Sequence, residues 1–436
     1  MGWGAMKRNK RMLRATGLLI LGILLSHTVY AEPGEVALED YGRLVTLEHA
    51  ISKTLKDHAK VKQAFERLEK EKALYQGAKA EFLPKFGTQF FGAVATGDKR
   101  TVSYFDTFLE QPLFEGGKSV FNKQKQKVRV ESESLKLEEA KLDLGLYVRI
   151  LYAEVLKEKE LTRIAQGEVK ELSQAYERTN VLFQKEIIPR YDLIRIETLF
   201  EKAKAALVKH KESYDYQLSV LMQTIGVDAQ ESLELELLGE IPGLMTDISA
   251  YLALSRKHDP LYKLSGLQIQ EKEFEKKMLQ AERWPSVSLA AKWNVYQDVF
   301  VDTDRVMVGA LGKWNIWDFG RLGSQINAKA HEIQETKWAG TVEIQEKENE
   351  TRRLYHEART ASEKIRLQDA LLKERDEGYK NEKTRLIAGE KGTGELLDSF
   401  LALEEAKMER LQAITEYRIL LARLQRNMGF EEGEGS

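Results

Sequence analysis

The spacing of apolar residues changes character twice in each half of this 436-residue chain. From Thr46 to Phe82, and again from Asp247 to Arg283, apolar positions recur with the period of a helix. Each stretch ends close to a proline, Pro84 or Pro285, and proline disfavours helical geometry in the residue before it. The pattern therefore predicts a helical stretch of nearly forty residues at the start of each half.

After each proline the apolar period becomes two, which indicates β-strands. The predicted hairpins cover about residues 85–113 and 286–316, and their strands are about ten residues long. Strands of that length can cross a bilayer when they are tilted. A water-soluble hairpin with one face on a small core would show the same alternation, so the pattern alone leaves both arrangements open. The alternation is clearest in the second hairpin, at Val287, Leu289, Ala291, Trp293 and Val295 and then at Val306, Val308, Ala310, Gly312, Trp314 and Ile316.

Beyond each hairpin, apolar residues recur at alternating steps of four and three, as in helices that pack side by side. Two short segments interrupt this pattern: residues 185–190, which contain Pro189, and residues 388–394, which contain three glycines. We therefore predict helical hairpins over about 118–226 and 321–429, each with a turn at its tip. At 1.5 Å per residue, the helix from Lys118 to the first tip would be about 100 Å long.

The two halves share this order of elements because the chain contains an internal duplication. The offset between equivalent residues is 201 at Pro84 and Pro285, and 203 at Gly226 and Gly429. Such a period is far longer than that of a solenoid repeat, and it indicates two copies of one large unit. We predict a signal peptide, two repeats joined by a linker, and a tail, over residues 1–31, 32–226, 227–246, 247–429 and 430–436.

The N-terminus has the pattern of a secretory signal peptide. Basic residues precede an apolar run from Gly17 to Leu25, and Val29-Tyr30-Ala31 has the small-residue spacing of a cleavage site. Because these 31 residues carry basic but no acidic side chains, the mature chain is acidic, and we expect no nucleic-acid partner. The chain has no cysteine and therefore no disulfide, and its 31% charged residues suit long, exposed helices.

In this joined order of elements the chain resembles the TolC-like outer-membrane efflux proteins. The matching segments are Gln111 to Lys118 after the first hairpin, Trp314 to Arg321 after the second, and Gly389 to Asp398 at the second tip. The resemblance covers essentially the whole mature chain. It implies a mainly α fold with a small β part, in which three copies form an α-helical barrel and share a 12-stranded transmembrane β-barrel.

The resemblance also implies an outer-membrane channel, an exit duct for small molecules or proteins from a Gram-negative-type cell. Such a channel is a passive homotrimer with its strands in outer-membrane lipid and its helices in the periplasm. Its partners are a periplasmic adaptor (a membrane fusion protein) and an inner-membrane transporter. The alternative is a periplasmic coiled-coil scaffold or adaptor that does not enter the membrane, although an adaptor would normally show one helical hairpin flanked by small β domains.

Four residues at the predicted tips are candidates for a gate in the pore. By resemblance, Glu395 and Asp398 fall where acidic rings narrow the entrance, and Lys391 falls where a basic residue helps to hold the closed state. Asp192 falls at the acidic position of the first tip. Glu395 and Asp398 are three residues apart on a helix, so three copies would direct six carboxylates into a pore and favour cations. These acids also suit simple capping, because acids are favoured in the first turn of a helix.

Nothing in the sequence indicates an enzyme. The histidines are scattered without the spacing of metal ligands, and no pair of nucleophile and base stands out. Gly392 and Gly394 do not form a phosphate loop, because no strand precedes them. We therefore expect no catalytic residue, no metal and no cofactor.

Overall fold

The structure is a computed structural model that describes residues 45–95, 100–228, 233–298, 301–388 and 393–429. The predicted signal peptide and tail, four residues of the predicted linker and Lys391 lie outside these residues. The described residues all belong to one compact unit.

The described residues form eight helices and four strands, in the same order in each half. The first half contains α1 (Leu47–Asp57), α2 (Ala59–Ala80), β1 (Lys85–Ala95), β2 (Arg100–Phe114), α3 (Lys118–Gln184) and α4 (Arg190–Ile225). The second half contains α5 (Ile248–His258), α6 (Pro260–Ala281), β3 (Ser286–Asp298), β4 (Val301–Lys313), α7 (Arg321–Ile387) and α8 (Thr393–Met428). Equivalent helices have identical lengths of 11, 22, 67 and 36 residues.

The helical stretch predicted before each hairpin is helical but is divided into two helices, so it is not one continuous helix. The breaks fall at His58 and Asp259, whose backbones are extended, with ψ of 136° and 126°. Asp259 precedes Pro260, which disfavours the helical conformation. Each break residue then caps the following helix: His58 Nδ1 accepts the N–H of Lys60 at 3.2 Å, and Asp259 Oδ1 accepts that of Leu261 at 2.9 Å.

The four strands form one antiparallel sheet in the order β1-β2-β3-β4, so the two hairpins lie side by side. The duplication also governs the register: Phe91 lies opposite Tyr104 in the first hairpin, and their equivalents Lys292 and Met307 lie opposite each other in the second. The edges of this sheet are β1 and β4. Because β4 ends at Lys313, the last residues of the predicted second hairpin, 314–316, lie outside the strand.

One face of the sheet is apolar and exposed, and the other is mostly polar. Phe86, Phe90 and Val306 lie on the apolar face with 72%, 74% and 73% of their surfaces exposed. On the opposite face the buried Asp106 carboxylate forms an ion pair with Lys292 Nζ at 2.8 Å. Within the described residues, therefore, the alternating apolar side chains do not pack on a core of this chain.

Each repeat has its apolar core near the middle of its long helix, at equivalent positions. Leu151 and Tyr152 of α3 pack with Leu221 of α4, and the second repeat uses Leu354 and Leu424 in the same way. The Tyr152 hydroxyl lies 2.8 Å from the carbonyl oxygens of residues 45 and 236, which ties the segment before α1 and the linker between the repeats to α3. Over the described part of the chain, no helix combines the length and the apolar character needed to cross a membrane.

Candidate functional site

The first tip is a tight turn that begins α4 at a defined point. Glu186 has a φ of +59°, which is uncommon for a residue other than glycine. The N–H of Ile187 donates to the carbonyl oxygen of Leu182 at 3.0 Å, the long hydrogen bond of a Schellman motif. Pro189 follows, and Asp192 then lies in the first turn of α4. The turn therefore fixes the position of Asp192 at the start of α4.

The second tip is described on both sides of its turn. Helix α7 ends at Ile387, and α8 begins at Thr393 with Glu395 in its first turn. Lys391, the predicted basic residue, lies outside the described residues, so its role stays a prediction.

An ion pair joins the two tips at positions that the duplication makes equivalent. Arg195 and Asp398 are 203 residues apart, and Arg195 Nη2 donates to both Asp398 carboxylate oxygens, at 2.6 and 2.9 Å. The hydrogen bond to Asp398 and the charge of that carboxylate raise the pKa of Arg195 above its usual value. Both side chains are about half exposed, so the pair contributes only about 0–1 kcal/mol to stability. The main effect of the ion pair is to neutralise the negative charge of Asp398 at the tip.

Sequence reasoning did not single out Arg195. The signal was present, because sliding the chain by 203 residues places Arg195 over Asp398 and Asp192 over Glu395. One pair of equivalent positions carries opposite charges, and the other carries two acids. Opposite charges at equivalent positions can meet where the two repeats face each other.

A cavity of about 360 Å³ lies next to this ion pair, between the two helical hairpins. Asp192 and Arg195 line it from α4, and Glu171 and Arg178 line it from α3. The structure therefore brings Asp192, Arg195 and Asp398 to one place. Glu395 lies in the first turn of α8, is exposed, and does not line the cavity.

An apolar cluster beneath the cavity holds the hairpins together. Leu172 of α3 is fully buried there and packs with Ile196 of α4 and with Leu397 and Phe400 of α8. The Phe400 ring lies 5.8 Å from the ring of Tyr379 on α7, so all four helices meet. The charged tip residues therefore stand on a contact between the two repeats.

Comparison with known proteins relates this fold to outer-membrane channels. Residues 50–227 match the model of a family described as outer membrane efflux protein. The Campylobacter jejuni CmeC outer membrane channel is similar in structure, with a TM-score of 0.76 and 16% identity over 89% of this chain and 87% of that one. The open state of the Neisseria gonorrhoeae MtrE outer membrane channel gives 0.74 and 16%, over 88% of each chain. CusC, whose structures were described in terms of transmembrane channel formation, gives 0.77 and 13%, over 88% of this chain and 92% of CusC.

No curated protein sequence matches the chain. The family match covers the first repeat, and the structural matches cover nearly all described residues of both. Together they confirm the predicted resemblance to TolC-like efflux proteins and the mainly helical fold. They favour the outer-membrane channel over the periplasmic scaffold.

Proposed function

We propose that this chain, whose first repeat matches the outer membrane efflux protein family, is the outer-membrane channel of an export system. It acts as a passive duct for small molecules or proteins. An inner-membrane transporter supplies the energy, and a periplasmic adaptor connects the transporter to the channel. The observation that carries the proposal is the sheet with an exposed apolar face, placed next to helices of 67 residues. Lipid would cover that face, and the helices would reach about 100 Å into the periplasm.

The sheet cannot serve in a membrane as a single copy. Each edge strand, β1 or β4, is paired on one side only among the described residues, and unpaired backbone groups are not tolerated in lipid. Three copies, each giving four strands, would close the sheet as a shared 12-stranded barrel in the outer membrane. The proposed assembly is therefore a homotrimer with its signal peptide removed near Ala31.

The duplication specifies how β4 of one copy should pair with β1 of the next. Within the chain, Phe108 of β2 lies opposite Lys292 of β3. In the duplication, Leu311 of β4 is the equivalent of Phe108, and Phe91 of β1 is the equivalent of Lys292. The same pairing between copies therefore places Leu311 opposite Phe91 of the next copy. This register keeps the apolar faces of the two sheets continuous, whereas a slip of one residue would reverse one strand's faces.

A cysteine pair tests both the trimer and the register, because the natural chain has no cysteine. With Leu311→Cys and Phe91→Cys, oxidation of the purified protein should give disulfide-linked dimers and trimers on a denaturing gel. The two residues stand on opposite edges of one sheet, three strand spacings or at least about 14 Å apart, so they cannot link within a chain. Leu311→Cys with Phe90→Cys is the control and should not form the disulfide, because the side chain at position 90 points to the other face of the sheet.

Membrane insertion is tested by fractionation. The mature protein should stay with outer membranes through washes with salt and carbonate and leave them only in detergent. Release by carbonate alone would contradict the channel and favour the periplasmic scaffold.

The tip residues would form two different rings in the trimer. Asp192 and Glu395 are equivalent, so three copies place six carboxylates at one level of the six hairpins. Arg195 and Asp398 are equivalent as well, and they lie one helical turn from the acidic ring. The three copies would therefore form a second ring there, in which positive and negative charges alternate. We propose that the Asp192 and Glu395 ring favours cations at the entrance, while the Arg195 and Asp398 ring links neighbouring hairpins in the closed state. Lys391 would add a basic group between them.

Single-channel recording tests these roles. Removing the acidic ring by Asp192→Asn with Glu395→Gln should raise the concentration of a trivalent cation needed for half block about tenfold, which corresponds to ~1.4 kcal/mol. Arg195→Gln should strengthen the block, because it leaves the Asp398 carboxylates uncompensated. Glu409→Gln, an exposed acid farther along α8, is the matched control. If the block is the same in all three variants, these residues do not face the pore.

A further inference from the structure

A pocket of about 210 Å³ lies halfway along the long helices, far from both the sheet and the tips. The linker between the repeats closes one side of it, and α3 and α8 form the others. Its apolar lining includes Leu47, Ala153, Pro242 and Ile419, and two arginines, Arg149 of α3 and Arg418 of α8, face the same space.

Arg418 has an unusual set of partners for a half-buried arginine. Its guanidinium donates to the carbonyl oxygens of Leu238, at 3.4 Å, and Gly239. No Asp or Glu in the described part of the chain lies within 4.0 Å of it, and burial lowers its pKa. By contrast, Arg426 on the same helix has Asp143 at 2.6 Å and Asp259 at 3.3 Å.

The remaining donors of Arg418 have room for an anion. A guanidinium carries five N–H groups in a planar fork, and both carbonyl partners of Arg418 accept from Nη2, which leaves the N–H groups of Nε and Nη1. A carboxylate accepts strong hydrogen bonds from such charged donors. The lining adds a second positive group in Arg149 and one exposed acid, Glu240, so the arginines outnumber the carboxylate.

We propose that this pocket binds a small monocarboxylate with an apolar body, its carboxylate on Arg418 and its body against the apolar lining. The volume is below the 300–1,000 Å³ of typical ligand pockets, which favours an aromatic or short aliphatic acid over a larger ligand. The site belongs to the second repeat's return helix alone, because the residue equivalent to Arg418 in the first repeat is Asp215. The proposal does not depend on the direction or the cargo of transport.

Benzoate is a suitable probe, and isothermal titration calorimetry on the detergent-solubilised full chain is a suitable assay. Wild-type protein should bind benzoate at one site per chain, and neutral benzamide should not bind. Arg418→Gln should weaken benzoate binding about tenfold or more, since charge-assisted hydrogen bonds are the strong ones. Arg418→Lys should recover part of the loss by restoring charge without the fork.

Two further variants separate the pocket from a general charge effect. Glu240→Gln should tighten benzoate binding, because it removes the one carboxylate of the lining. Arg423→Gln changes an exposed arginine on the same helix that does not line the pocket, and it should leave the affinity unchanged. If wild-type protein does not bind benzoate at millimolar concentration, or if Arg423→Gln weakens binding as much as Arg418→Gln, the proposal is wrong. A circular dichroism spectrum and melting curve for each variant would show whether a loss reflects misfolding.

Discussion

Asp259, at the break between α5 and α6, belongs to a buried cluster of charges. Replacing Asp259 by Asn should lower the free energy of unfolding. The Asp259 side chain is 1% exposed, and its Oδ2 lies 2.7 Å from Lys347 Nζ and 3.3 Å from Arg426 Nη1. Breaking a buried pair by removing one partner typically costs 3–5 kcal/mol, because the other charge stays buried without compensation. We expect about 3 kcal/mol, the lower end of that range, since Arg426 keeps Asp143 and an Asn side chain still caps α6.

The measurement is the free energy of unfolding in guanidinium, followed by circular dichroism of the detergent-solubilised protein at one fixed concentration. Asp143→Asn is the control: its side chain is 57% exposed, so its loss should cost only about 0–1 kcal/mol. A deficit for Asp259→Asn below about 1 kcal/mol would refute the assignment of a buried, energetically coupled pair.

The pH dependence supplies a second check on the same reasoning. Burial, followed by the charge of Arg426, lowers the pKa of Lys347 in the folded protein. Between that lowered pKa and the unfolded value of 10.5, the unfolded chain binds more protons, so stability rises with pH in this window. Removing Asp259 should lower the pKa of Lys347 further and extend the window downward. The deficit of Asp259→Asn should therefore shrink as pH rises from 7 towards 10, and a constant deficit would contradict this account.

Three smaller changes test local geometry, each by the same unfolding measurement. Gly116→Ala should lower the free energy of unfolding by at least about 1–2 kcal/mol, because φ is +62° and the added Cβ would lie 2.4 Å from the Ala281 carbonyl oxygen. Unchanged stability would contradict this close approach. Glu186→Gly should stabilise by up to about 1 kcal/mol by relieving the left-handed backbone at the first tip, and a loss of stability would show that the side chain matters there. Tyr152→Phe should cost about 1 kcal/mol by removing the hydroxyl that joins residues 45 and 236 to α3, whereas no change would mean that this hydrogen bond is not important.

The sequence predicted much of the fold because its signals are local and occur twice. Prolines and glycines mark the ends of helices and turns, and the change of period from 3.6 to 2 separates helix from strand. The break at His58 carries only a weak sequence signal, because no proline follows it and its cap comes from a histidine nitrogen instead of the usual Asp or Ser. The break at Asp259 carries a clearer signal, Pro260, and was also missed. The early end of β4 was missed because apolar alternation continues through Trp314 and Ile316, whose side chains are exposed.

The candidate site was predictable only in part. Asp192 and Glu395 could be placed at the tips from the turns that precede them, but the partner of Asp398 depends on how two hairpins pack. A contact between Arg195 and Asp398 crosses 203 residues of chain, and the apolar cluster around Leu172 and Phe400 brings these helices together.

The sequence by itself determined the order of the elements and most of their bounds, since each depends on residues close to one another in the chain. It also determined their duplication. Tertiary structure alone decided that β2 pairs with β3, that Asp398 is neutralised by Arg195, and that Arg149 and Arg418 line one pocket. These features depend on side chains far apart in sequence, and packing of the long helices sets the distances between them.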